Sequence, residues 1–151
     1  MMALLVPGCR QGGPLKVSEA PPVNLAAEIQ RAKTEHKLVV LEFSGSDWCQ
    51  PCMDFHKRVA ANPEFIAYSQ SNFVWLELDF PEKFKLRPET EATNRLLLAQ
   101  FKVEPFPTFI VLDHDGREIW RQPDLTDPNP SLTLNPAVLI TQLEAVRRKQ
   151  F

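Results

Sequence analysis

Apolar residues along this chain come in two patterns. Leu38-Val39-Val40-Leu41-Glu42-Phe43 is an almost unbroken run, the signature of a strand covered on both faces. Phe73 to Asp79 and Thr108 to Leu112 repeat it. Between these runs the apolar positions fall three or four apart, which predicts helices. Leu25, Ala26, Ile29, Ala32 and Lys33 mark the first. Phe55 and Val59 mark another, with Pro51 suited to its first turn, and Asn62-Pro63 ends it or restarts it as a further short helix. Residues Pro88 to Phe101 predict a helix with Ala92, Leu96, Ala99 and Val103 near one face. Asp113-His114-Asp115-Gly116 is a turn, and Glu118 to Arg121 pairs back as a hairpin strand. Asn135-Pro136 opens the last helix, with Val138, Leu139, Leu143 and Val146 inward. The order αβα(α)βαββα predicts an α/β fold: a mixed four- to five-stranded sheet with helices on both faces.

Composition narrows the reading. A length of 151 residues fits one domain. Apolar residues at 44% and charged residues at 24% exclude a wholly disordered chain. Lys+Arg 17 against Asp+Glu 19 leaves −2, with signs interspersed, so no nucleic-acid partner is expected. No apolar run approaches the ~20 residues of a membrane helix. Three cysteines make no disulfide framework. Residues 1–22, rich in Gly and Pro without lasting periodicity, read as a flexible leader or tether, and 23–151 as the domain. The Pro-rich stretch Gln122 to Pro136 reads as a passive surface loop, with bordering a substrate groove as its alternative. The aromatic run Phe73, Trp75, Phe80, Phe84 reads as packing, and Trp75 and Trp120 as core or sheet-face residues.

The candidate chemistry lies in Trp48-Cys49-Gln50-Pro51-Cys52, which follows a strand and opens a helix. Unpaired N–H groups and partial positive charge at a helix N-terminus favour thiolate at Cys49, the exposed end of the pair. Cys52, one turn further in and more covered, is placed to attack a mixed disulfide formed at Cys49. Pro51 stiffens the turn. The same spacing also spells half a zinc site, which needs two more ligands. Cys9 is in the leader, and of His36, His56 and His114 only His56, four residues after Cys52, shares its helical face. Two inert core cysteines form a third reading, which leaves Trp48 and Pro51 without a purpose.

A second mark is Glu104-Pro105-Phe106-Pro107-Thr108, where a proline immediately precedes a strand. Trp48 to Cys52 after one strand, Phe106-Pro107-Thr108 before the next, and Asp113-x-x-Gly116 in the hairpin together resemble the thioredoxin superfamily, over about Leu25 to Phe151. The approach Ser44 to Cys49 is one residue longer than in thioredoxin, and the segment Asp79 to Leu98 is longer too. Both features are more similar to the periplasmic thioredoxin-like domain of the bacterial transmembrane disulfide reductase and related exported proteins. The resemblance implies that Pro107 is cis and packs against the cysteines. It implies that the Phe106 backbone pairs with an extended substrate segment, with Trp48 shaping the groove wall.

Glu42 interrupts the first apolar run. An exposed strand face is one reading. The resemblance implies another: an acid buried beneath the second cysteine that shuttles its proton, a task suited to a buried carboxyl near neutral pH. The lysine that often partners this acid is absent, with Trp75 near the matching position.

The function so implied is a thiol-disulfide oxidoreductase that reduces or isomerises protein disulfides through Cys49 and Cys52, without cofactor or metal. Its partners are disulfide-bearing proteins and an upstream thiol-disulfide electron donor, and the chain reads as a monomer. The alternatives are a dedicated reductant in haem-protein maturation and a redox-inactive module that binds peptides at Phe106-Pro107. Leu5-Val6-Pro7-Gly8-Cys9 is similar to the end of a bacterial lipoprotein signal, although the charged amino end and full apolar stretch are missing. The location expected is the bacterial cell envelope, periplasmic or lipid-anchored through Cys9, with the cytoplasm as alternative.

Overall fold

The computed structural model describes residues 16–122 and 134–151. The elements run α1 (Leu25–Thr34), β1 (Leu38–Ser44), α2 (Gln50–Phe55), a π-helical turn (His56–Ala60), α3 (Pro63–Asn72), β2 (Phe73–Asp79), α4 (Pro88–Gln100), β3 (Thr108–Leu112), β4 (Glu118–Arg121) and α5 (Pro136–Arg147). Among the described residues the sheet has four strands in the order β2-β1-β3-β4. β1 pairs parallel with β2 and antiparallel with β3, and β3 pairs antiparallel with β4. This is the predicted mixed sheet, at the lower strand count.

β1 is central and buried at every residue. Its alternate side chains supply two cores. Val39, Leu41 and Phe43 join Ala32 of α1, Leu97 of α4, Val74, Leu78, Ile110 and Leu112 on one face. Leu38 and Val40 join Phe55, Val59, Phe65, Phe109, Val111, Leu139 and Leu143 on the other, under α2, α3 and α5. Glu42 belongs to this second face.

The helices begin where the caps lie. Asn24, Asn62 and Asn135 each accept a backbone N–H from the first turn of α1, α3 and α5. Two helices are followed by a left-handed residue other than glycine. After α1, His36 adopts φ 54, and the Lys37 N–H reaches Ala32 O at 2.8 Å. After α4, Lys102 adopts φ 50, and the Val103 N–H reaches Leu98 O at 3.1 Å. Both are left-handed C-terminal caps that normally favour glycine.

The predicted inner face of α4 is corrected. Ala92, Leu96 and Ala99 point to solvent, and Leu96 is 65% exposed. Thr90, Asn94 and Leu97 are the buried residues. The polar pair is tolerated inside because each finds a carbonyl: Thr90 Oγ1 donates to Ala20 O at 2.8 Å, and Asn94 Nδ2 to Asp79 O at 2.9 Å.

Residues 16–20, read as leader, run along the body. Val17 forms a parallel bridge with Lys85, and Ser18 N donates to Lys85 O at 2.8 Å. Cys9 and most of the Pro-rich stretch after Gln122 lie outside the described residues.

Candidate active site

The cysteine motif sits at the N-terminus of α2, beyond the C-terminal end of β1. Cys49 is the N-cap in extended conformation, and its Sγ accepts the Cys52 N–H at 3.3 Å. Pro51 occupies the first turn, where its missing N–H costs no helical bond. Gln50 and Pro51 are exposed, and Gln50 Nε2 donates to Asp54 Oδ1 at 3.0 Å. Cys49 and Cys52 are joined as a disulfide. Cys52 is fully buried and Cys49 is 4% exposed. Both cysteines are thus buried, which corrects the exposed Cys49 expected from the sequence.

The approach to the motif is laced to the loop after β2. Ser46 N and Oγ both donate to the Asp79 carboxylate, at 2.9 and 2.6 Å. Asp47 accepts the Glu82 and Lys83 N–H groups at 2.9 and 2.7 Å. Trp48 Nε1 donates to Phe80 O at 2.7 Å. Gly45 is required here, because a Cβ at that position would lie 2.5 Å from the Trp48 ring. Trp48 itself is 40% exposed and meets Phe106 edge-on at 5.7 Å between centroids, while Phe106 stacks on Phe80 at 5.2 Å. Trp48, Phe80 and Phe106 thus form an aromatic wall. A cleft of about 260 Å³ lies beside it, lined by Trp48, Phe80, Phe84 and Arg95 among others. The Phe106-Pro107 bond is cis and Pro107 is buried. Thr108 Oγ1 donates to Pro105 O at 2.7 Å, which holds this turn. Phe80, read as packing, is the wall residue that sequence reasoning missed.

Beneath the motif lies a polar cluster in an otherwise apolar layer. Glu42 is 2% exposed, which settles it on an inner face and not an outer one. Trp75 Nε1 donates to Glu42 Oε2 at 2.7 Å. His56 Nε2 lies 2.8 Å from Glu42 Oε1, and also 3.6 Å from Glu77 Oε1. The closer contact is not aligned as a hydrogen bond and is an ion pair when His56 is protonated. The cluster assembles from register and helical phase. Glu42 pairs with Glu77 across β1 and β2, with Trp75 two residues earlier on the same face. His56 is one turn beyond Cys52, at the start of the π-helical turn.

The electrostatics follow. The Glu42 carboxylate beside His56 raises its imidazole above the ordinary histidine range, against the opposing effect of partial burial, and Glu77 and Asp79 add to the rise. Partial burial raises Glu77 above the usual carboxylate range, and the Glu42 charge adds to it. Among the described residues, Glu42, His56 and Glu77 are also a group of donors that lie close enough together, within 4.8 Å, to share a cation. His56, shifted toward its protonated form by the Glu42 carboxylate, competes with a cation for this group, and we assign no metal to it.

Comparison with known proteins decides the family. A family model described as a thioredoxin-like domain matches residues 25–133. The chain belongs to the thioredoxin-like family. It is 30% identical over 112 residues to "Disulfide bond reductase DsbH" of Chlamydia pneumoniae, covering 74% of this chain and 68% of that one. It is 38% identical over 96 residues to "Thioredoxin-related protein DsbJ" of the same organism, covering 62% of this chain but 27% of that one. A solved structure titled "DsbH Oxidoreductase" superposes with a TM-score of 0.71 at 24% identity, covering 95% of this chain and 94% of that one. The fold is therefore thioredoxin-like, and the relatives include a disulfide bond reductase. The Cys49–Cys52 pair of this thioredoxin-like oxidoreductase stands at the helix start where a redox dithiol acts. Among the described residues no helix is long and apolar enough to cross a membrane.

Proposed function

We propose that this chain reduces or isomerises disulfides in other proteins, with Cys49 as attacking thiol and Cys52 as resolving thiol. The observation that carries the reading is the Cys49–Cys52 disulfide at the N-terminus of α2, beside the exposed aromatic wall. A sulfur pair at bonding distance is a two-electron couple, which a purely peptide-binding module does not need. In the reduced protein, Cys49 thiolate attacks one sulfur of a substrate disulfide, and the other sulfur leaves as thiolate and takes up a proton from water. Cys52 then loses its proton to Glu42 and attacks Cys49 Sγ. The second substrate sulfur leaves, takes up a proton, and the Cys49–Cys52 disulfide forms. An upstream dithiol returns the two electrons.

An extended substrate segment lies along the cis turn, its backbone bonded to Phe106 and its side chains against Trp48. Pro107 covers the sulfurs from that side. The resemblance to exported Dsb proteins supports a cell-envelope location and a protein electron donor. Proline at the third position of the motif supports the reducing direction, for which a potential near ≈ −270 mV is expected and not the ≈ −120 mV of a strong oxidant.

The test is covalent trapping. Cys52→Ser mixed with an oxidised protein should accumulate an adduct through Cys49, visible on non-reducing electrophoresis. Cys49→Ser should form none and lose all reductase activity, since a serine hydroxyl is hardly ionised at neutral pH. Adducts from Cys49→Ser alone would reverse the roles. Wild type with neither adduct nor disulfide-reducing activity would favour the peptide-binding module.

A further inference from the structure

The cluster below the motif has more parts than a single proton acceptor needs. Glu42 is enclosed, at 2% exposure. Of its two oxygens, Oε2 is held by the Trp75 N–H, and Oε1 has only His56 Nε2 beside it, at 2.8 Å. The His56 side chain is 37% exposed, and Glu77, 3.6 Å beyond, is 42% exposed. Enclosed carboxylate, half-exposed imidazole and solvent-facing carboxylate therefore stand in line from inside to outside. We propose that His56 is the gate through which Glu42 exchanges protons with solvent, with Glu77 as the outer station. This rests on the reading of Glu42 as acceptor of the Cys52 proton.

The proton count closes. In the proposed cycle the resting pair is a Glu42 carboxylate beside a His56 imidazolium, without net charge. When Cys52 is deprotonated, its proton arrives on Glu42 and the pair becomes positive. His56 has then lost its anionic partner and releases the Nε2 proton to Glu77 and so to water. A rotation of the imidazole aligns the 2.8 Å contact, and the Glu42 proton passes from Oε1 to Nε2, which restores the resting pair. One proton has entered at the sulfur and one has left at the surface. In the opposite direction of exchange the same steps run backwards.

Other charges around His56 do not replace this route. Asp79 of β2 accepts from Ser46 with both oxygens. From α2 the neighbour of the imidazole is the Phe55 ring, edge-on at 5.7 Å. Lys57 and Arg58, which follow on the same turn, are exposed cations and no proton acceptors at neutral pH. A lysine as partner of the buried acid would stay charged throughout, whereas imidazole titrates near neutrality and both takes and gives a proton.

The experiment measures release of a pre-formed mixed disulfide at Cys49 from pH 5.5 to 8.5, in wild type, Glu42→Gln, His56→Gln, His56→Ala and Glu77→Gln. His56→Gln should slow this step about tenfold to a hundredfold near pH 7 and leave the first attack by Cys49 unchanged. Glu77→Gln should slow it less. Added imidazole should restore His56→Ala in proportion to its concentration and leave wild type unaffected. A merely structural histidine would show no such rescue. A slow Glu42→Gln beside a His56→Ala that does not respond to imidazole would overturn the gate alone. A Glu42→Gln with the wild-type rate would overturn the shuttle on which it rests.

Discussion

The two faces of β1 differ in kind. Toward α1 and α4 it presents Val39, Leu41 and Phe43, and their neighbours are apolar. Toward α2 it presents Leu38 and Val40 and then Glu42, where an indole N–H and an imidazole meet a carboxylate. A buried charge opposes folding unless it is matched, and an apolar side chain of similar size is often as good or better for stability. The first face is explained by burial alone. The second carries an acid that stability does not call for, beside the imidazole of His56, which stands one helical turn after Cys52. The contrast separates what holds the domain together from what it uses for chemistry.

That contrast can be broken from either side. The largest effect belongs to the apolar face. Leu41→Ala should lose about 2–5 kcal/mol in denaturant unfolding, the usual range for a buried leucine. Its thiol–disulfide exchange rates should equal those of wild type under conditions where it stays folded. A change in the pH profile of exchange would mean that the faces are coupled.

On the polar face, Trp75→Phe keeps most of the ring, which stacks on Phe55 at 6.4 Å and meets Phe65 edge-on at 5.5 Å. It removes the hydrogen bond to Glu42 Oε2. Loss of a donor to a buried charge should cost about 1.5–3 kcal/mol, read from the same unfolding curves. The variant should also shift the pH dependence of mixed-disulfide release, which Leu41→Ala should not. Unfolding curves that superpose on wild type would mean that the indole hydrogen bond does not support the carboxylate.

The smallest effect is one of slope. Glu77 and His56 both bind protons more readily folded than unfolded, since both are raised. Stability should therefore fall with rising pH in two windows. In the first, pH climbs from the ordinary carboxylate range through the raised value of Glu77. In the second, it climbs from about 6.5 through the raised value of His56. Glu77→Gln should flatten the first by less than about 1 kcal/mol, because the group is partly solvated. His56→Gln should flatten the second. Thermal unfolding across pH 4–9 checks both, and stability that rises through these windows would contradict the charge arrangement described.

Much of this was legible in sequence because the informative signals are local. The runs at β1, β2 and β3, the cap residues Asn62 and Asn135, and the Cys49–Cys52 spacing at a helix start each need only neighbouring residues. What escaped depends on distant ones. Thr90 and Asn94 look like solvent residues until the carbonyls of Ala20 and Asp79 are brought to them, so the apolar count turned α4 toward Ala92, Leu96 and Ala99. His36 and Lys102 hide two helix ends that a glycine would have announced. Glu42 could be suspected, but its partners come from β2 and from the turn after α2. His56 was visible only as a poor zinc ligand, and Trp75 stood where a lysine was sought. The signal that was available is the spacing Cys52-x-x-x-His56, which puts an imidazole one turn below the inner sulfur.

The lacing of Ser46, Asp47 and Trp48 to the loop at Asp79–Lys83 bears on recognition. Five hydrogen bonds hold the two segments together, and none involves a substrate. The wall beside the sulfurs thus exists as a finished shape before any encounter. The entropy of ordering falls on the incoming strand alone, so a flexible partner segment adapts to a rigid template. Discrimination between partners then rests on how easily each can extend and expose its disulfide. A locally unfolded or loop-borne disulfide meets that demand, and one locked inside a packed core does not.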